Sequence, residues 1–141
     1  MKRSNFVLAA ALAVVIALGL LGSRTANAQE PLKSGKVLQR TTLSGAPGWE
    51  AILVERDVPA GGESGKHTQG GNEIVYVETG AVILQVAGKP DQTVKAGEAF
   101  TTSAGQVHNV KNASSTEPTK ALAFYVAKKG AKLEELSKPV K

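Results

Sequence analysis

The sequence predicts an all-β domain of the sandwich or barrel type, and three observations predict it. Beyond residue 36 the chain divides into short runs rich in Val, Ile, Leu and Thr. Breaks containing Gly or Pro separate these runs, the spacing expected of a small sandwich or barrel. No segment of useful helical period appears before Lys132.

Taken in order, the polar stretch from Gln29 to Lys36, with Pro31 and Gly35, reads as a flexible arm. Val37–Leu43 and Glu50–Val58 are expected strands, joined by a turn over Ser44–Gly48 that contains Pro47. After Pro59 a glycine-dense segment leads to strands over Glu73–Glu78 and Ala81–Val86. Between these, Thr79-Gly80 predicts either a hairpin or a tight connection. Gly88-Lys89-Pro90-Asp91 supplies another turn. Four further strands are expected over Gln92–Val94, Ala99–Thr102, Val107–Asn112 and Thr119–Ala127, with breaks at Gly97, Gly105 and Pro118. Leu133 and Leu136 predict one helical turn over Lys132–Ser137, within a C-terminal tail of residues 131–141. One domain over residues 37–130 accounts for the rest.

The beginning of the chain carries a different signal. Lys2 and Arg3 precede an uncharged apolar run from Phe6 to Leu21, and Ala26-Asn27-Ala28 follows it as a small-x-small cleavage site. This is the pattern of a secretory signal over residues 1–28. The alternative is an uncleaved anchor, but Phe6–Leu21 is shorter than the roughly 17 to 25 apolar residues that span a bilayer. Cleavage after Ala28 would remove Lys2, Arg3 and Arg24 and no acidic residue. Of the 17 basic residues 14 then face 12 acidic ones, so the basic balance belongs largely to the leader. The lysines form no stripe, and nucleic-acid binding loses its electrostatic support. The absence of cysteine excludes disulfides, thiolate metal sites and cysteine nucleophiles. An exported chain of this kind is expected in a bacterial periplasm or outside the cell, with no membrane contact after cleavage.

The chemistry concentrates around the two histidines of the chain, His67 and His108. Residues two apart on a strand share a face, so His67 and Gln69 project together, and Glu73 keeps that parity if the chain stays extended. Gly70 and Gly71 permit a bend that would re-aim Glu73. His108 must arrive on a neighbouring strand. The candidate metal ligands are therefore His67, Gln69, Glu73 and His108. The alternative is a polar pocket without metal. Gly61–Thr68 is not a phosphate loop, because Ala60 and His67 stand where that pattern needs glycine and a hydroxyl residue. Asn112-Ala113-Ser114 has the form of a glycosylation acceptor, a common tripeptide.

The spacing of these residues resembles the cupin superfamily. Gly61, His67, Gln69, Glu73 and Gly80 fit its first motif, with Gln69 in the place of the second histidine. Gly97, Ser103, Gly105, His108 and Asn112 fit its second, with Ser103 replacing proline. The resemblance implies a small single-domain jelly-roll, or double-stranded β-helix, barrel that forms a homodimer and binds a divalent ion inside. His67, Glu73 and His108 match its usual ligands. Gln69 is either a weaker oxygen donor or a hydrogen-bonding residue that orients a ligand or substrate. Two imidazoles and a carboxylate suit non-haem iron, and manganese, zinc and copper remain alternatives. With both histidines so assigned, serine–histidine catalysis has no base, and no catalytic residue is named. Metal-dependent, dioxygenase-like oxidoreductase chemistry on a small organic molecule is one expectation, with oxidase-like and isomerase-like activity beside it. A non-catalytic small-ligand or sugar-binding module with a degenerate metal site is the other.

Overall fold

The computed structural model describes residues 35–131 and 137–140. The signal segment expected over residues 1–28 lies outside them, as do the arm up to residue 34 and residues 132–136 of the expected C-terminal turn. Ten strands follow one another: β1 (Gly35–Thr42), β2 (Trp49–Val58), β3 (His67–Gln69), β4 (Glu73–Thr79), β5 (Ala81–Val86), β6 (Gln92–Lys95), β7 (Ala99–Thr102), β8 (His108–Asn112), β9 (Thr119–Lys128) and β10 (Ser137–Pro139). They form two antiparallel five-stranded sheets, ordered β1-β2-β9-β4-β7 and β10-β3-β8-β5-β6.

Alternation along the strands builds the core. On β2, Ile52, Val54 and Val58 point inward, and on β9 Ala121, Ala123, Tyr125 and Ala127 do the same. Val75, Val77, Val82, Leu84, Val94 and Phe100 complete the packed interior. The inward face of β9 is mostly alanine, so its small side chains leave room near the middle of the barrel. That room becomes the site.

Thr79-Gly80 is a tight connection and not a hairpin: β4 pairs with β7 and β9, whereas β5 pairs with β6 and β8. The chain passes from one sheet to the other at Gly80, whose φ of 76° and close approach to Thr119 suit glycine. The C-terminal tail contributes β10, which pairs with β3 through Ser137↔Gln69, Lys138↔Thr68 and Pro139↔His67. Ser137, expected at the end of a helical turn, instead opens this strand.

Candidate metal centre

On β3 the outer residue Thr68 separates two buried ones, so His67 and Gln69 share the inward face as their spacing requires. The register sets His67 directly opposite His108 on β8. Their ring centroids lie 4.2 Å apart with planes inclined at 54°. The turn before β8 is tied back to β3 by the Gly105 amide, which donates to the Gln69 carbonyl at 2.9 Å. The two halves of the site are thus joined through backbone as well as side chains.

Each imidazole is oriented by a carbonyl two residues earlier. His67 Nδ1 lies 2.9 Å from the Gly65 oxygen, and His108 Nδ1 lies 2.9 Å from the Gln106 oxygen. A carbonyl only accepts, so Nδ1 carries a proton in both rings, and in the neutral form of each ring Nε2 presents a lone pair. Burial pushes the His67 pKa below the ordinary histidine range, against the Gly65 hydrogen bond, which favours the protonated ring.

Glu73 reaches the same interior although it belongs to the other sheet. The chain turns the corner between β3 and β4 at Gly71, where a Cβ would stand 2.4 Å from the backbone oxygen of Val126. Only glycine fits that approach without displacement. The bend preserves the inward direction of Glu73, whose Oε2 accepts hydrogen bonds from Gln69 Nε2 at 3.0 Å and Thr102 Oγ1 at 3.3 Å.

Gln69 occupies the middle of this arrangement. Its amide nitrogen also lies 3.3 Å from His67 Nε2, donating to the lone pair there. The amide therefore bridges an imidazole and a carboxylate, two groups a cation would also draw together. His108 Nε2 is buried with no hydrogen-bond partner. It stands 3.9 Å from Glu73 Oε2, beyond hydrogen-bonding distance. Among the described residues no group of three or more His, Cys, Asp or Glu side chains is arranged to hold a metal ion as it stands. The donor chemistry nonetheless suits a divalent ion: two neutral imidazole nitrogens, one of them orphaned, and a carboxylate.

Ser64, Arg56 and Tyr125 also line the cavity of His67, Gln69 and Glu73, and none was singled out as a site residue in the sequence. Arg56 is inward-facing on β2 and 8% exposed, and it donates to the Tyr125 hydroxyl at 3.0 Å. Tyr125 is the register partner of Glu73. Burial, and next the Glu73 charge, push its pKa up, so the phenol stays neutral. The signal for Arg56 was its parity: it shares the alternation of Ile52, Val54 and Val58, an unusual place for a charge. Val75, Val82, Phe100, Ala121 and Ala123 form the apolar walls of the cavity, about 50 Å³ in volume.

Asn112 is a clasp and not a ligand. Its amide donates to the carbonyls of Val58, Pro59 and Glu117, and its oxygen accepts from Ser114 N and Thr119 Oγ1. These bonds fasten the loop after β2 and the loop before β9 to the end of β8. They account for the asparagine without glycosylation.

Residues 54–125 match the family described as Cupin domain. No curated protein matches the chain. Among solved structures, it is similar to a conserved protein with a double-stranded β-helix domain from Klebsiella pneumoniae, at 21% identity and a TM-score of 0.55, covering 77% of this chain and 84% of that one. A cupin-like protein from Thermotoga maritima matches at 20% identity and a TM-score of 0.54, over 72% of this chain and 80% of its own. A cupin domain from Bordetella pertussis matches at 23% identity and a TM-score of 0.50, over 70% and 97%. At these identities the likeness concerns the fold.

Proposed function

This chain belongs to the cupin domain family, and from that premise we propose that it is an exported protein binding one divalent ion through His67, Glu73 and His108. The observation that carries the reading is the pair of Nε2 lone pairs, fixed by the Gly65 and Gln106 carbonyls, with the buried His108 nitrogen left unpartnered beside Glu73. An unpartnered buried polar atom is costly, and a ligand there removes the cost.

The ion, when bound, supplies Lewis-acid or redox chemistry at a small oxygen-bearing molecule. The chain's own residues prepare the place. Gly65 and Gln106 hold the ring tautomers; Thr102 orients the Glu73 carboxylate. Val75, Val82 and Phe100 limit water around the donors. The Gln69 amide, whose Nε2 lies 3.3 Å from His67 Nε2 and donates to Glu73 Oε2 at 3.0 Å, would compete with an ion for these two groups. Two imidazoles and a carboxylate form the set associated with non-haem iron sites that leave positions open, which favours dioxygenase-like oxidoreductase chemistry. Manganese, zinc and copper suit the same donors.

Elemental analysis of protein taken from its native compartment tests the first part: about one equivalent of metal is expected. Metal-free native protein, with His67→Ala and His108→Ala unchanged in stability, would overturn it. Oxygen uptake by the loaded protein with phenols, diketones and organic acids tests the second. The Gln69 amide between His67 and Glu73 favours one other reading, a binding module without turnover. Ligand-induced stabilisation without oxygen consumption would select that module.

A further inference from the structure

We infer that Tyr125 is a positioning residue for Glu73: its hydroxyl and that of Thr102 clamp the carboxylate from both sides and so preset it for a divalent ion. This rests on the metal reading above and adds the residue that sets how firmly the site holds its ion.

Glu73 opens β4, the strand that runs between β7 and β9. Its register partner on β7 is Thr102, and its register partner on β9 is Tyr125. Residues directly opposite one another in a sheet share a face, with Cβ atoms about 4.5–5.5 Å apart. All three side chains therefore enter the same interior, and all three are buried. On one flank Thr102 Oγ1 donates to Glu73 Oε2 at 3.3 Å. On the other, the Tyr125 hydroxyl accepts from Arg56 Nη2 at 3.0 Å. A guanidinium is no acceptor, so the phenolic proton is directed elsewhere. Tyr125 and Glu73 share a side-chain hydrogen bond. A carboxylate only accepts, so in that bond the phenol is the donor.

The company Tyr125 keeps shows that its hydroxyl matters. The neighbouring inward positions of β9 are Ala121, Ala123 and Ala127. Tyr125 is the one large side chain on that face of the strand, and it stands in the row of Glu73. Phenylalanine would fill nearly the same volume, whereas a buried hydroxyl is costly unless it is hydrogen-bonded. The clamp also completes the way the donors are held. Backbone carbonyls, those of Gly65 and Gln106, fix the two imidazoles. The carboxylate depends on side chains instead. A free carboxylate gives up rotamer freedom when it meets an ion, and one already held gives up less. Partners of this kind are worth about 10- to 100-fold in metal affinity.

The test is zinc titration, against a competing chelator, of wild type, Tyr125→Phe and Tyr76→Phe, the last replacing the half-exposed second tyrosine of the chain. Tyr125→Phe should bind zinc about 10- to 100-fold more weakly, and Tyr76→Phe as tightly as wild type. In a Glu73→Gln background Tyr125→Phe should cost no further affinity, because the carboxylate it holds is gone. Undiminished zinc affinity in Tyr125→Phe overturns the clamp alone. An equal loss in both backgrounds does the same, since it marks a tyrosine that merely supports the barrel. Wild type that takes up no zinc overturns the metal reading and this inference together. If Tyr125→Phe does not fold, carbon-13 at the hydroxyl-bearing carbon of tyrosine decides. Tyr76→Phe then leaves one NMR signal, that of Tyr125, and adding Glu73→Gln should shift it; an unmoved signal overturns the clamp.

Discussion

His67 and His108 face each other across β3 and β8 as register partners, with ring centroids 4.2 Å apart. The two residues are distant in sequence, so their shared site exists only in the folded chain. An ion held between them therefore stabilises the fold by mass action. At free metal near a hundred times its Kd the gain is about 2.7 kcal/mol. For a domain of this size that raises Tm by roughly 10 °C. Thermal unfolding with and without chelator measures the shift, and His108→Ala should abolish it. No shift with iron, manganese, zinc or copper would contradict the site.

Gln69 makes a prediction of opposite sign in the two states. Its amide donates to Glu73 at 3.0 Å in the absence of metal, so Gln69→Met should cost the metal-free protein about 1.5–3 kcal/mol, the range for a hydrogen bond to a charged group. Gln69→His replaces the bridging amide by an imidazole, and metal titration should show an affinity gain of about tenfold or more. Unchanged affinity would place residue 69 away from the ion.

The two glycines before Glu73 should behave differently. Gly71→Ala drives a Cβ to 2.4 Å from the Val126 backbone oxygen, whereas a Cβ at Gly70 meets nothing within 4 Å. Denaturant unfolding should show a loss of about 1–3 kcal/mol for Gly71→Ala, the usual cost of overpacking. Gly70→Ala should remain within about 0.5 kcal/mol of wild type. Equal losses would remove Gly71 as the steric pivot of the corner.

β10 covers the free side of the short strand that carries two candidate ligands. Deleting residues 137–141 should leave β3 with little ladder support. Hydrogen exchange should then accelerate over His67–Gln69 while the long β2–β9 ladder keeps its protection. Unchanged exchange in β3 would show that β10 contributes nothing to holding it.

Much of this molecule was legible from residue pattern alone. The apolar and β-branched content of Glu50–Val58 and Thr119–Ala127, bounded by breaks containing Gly or Pro, placed the two longest strands. The pairing of His67 with Gln69 on one face followed from the two-residue period of a strand. Glu73 was harder: Gly70-Gly71 announced a bend, but only the approach of Val126 showed which way it turns. Thr79-Gly80 left a hairpin and a tight strand connection open, since a local turn signal does not identify the strand's partner. Ser137 gave no sign of β10, because a three-residue edge strand is selected by the unpaired edge of β3 and not by its own propensity.

The sequence by itself determined the β architecture, the glycines at its corners and the candidate donor residues, all of which depend on short-range period and residue chemistry. Only the tertiary structure decided that Arg56 shares the cavity of His67, Gln69 and Glu73, that Tyr125 stands opposite Glu73, and that the Gln69 amide lies between His67 and Glu73. The physical reason is that facing sheets bring together side chains separated by long stretches of chain. Charge balance and hydrogen-bond competition are properties of that shared space, and no local window of sequence contains it.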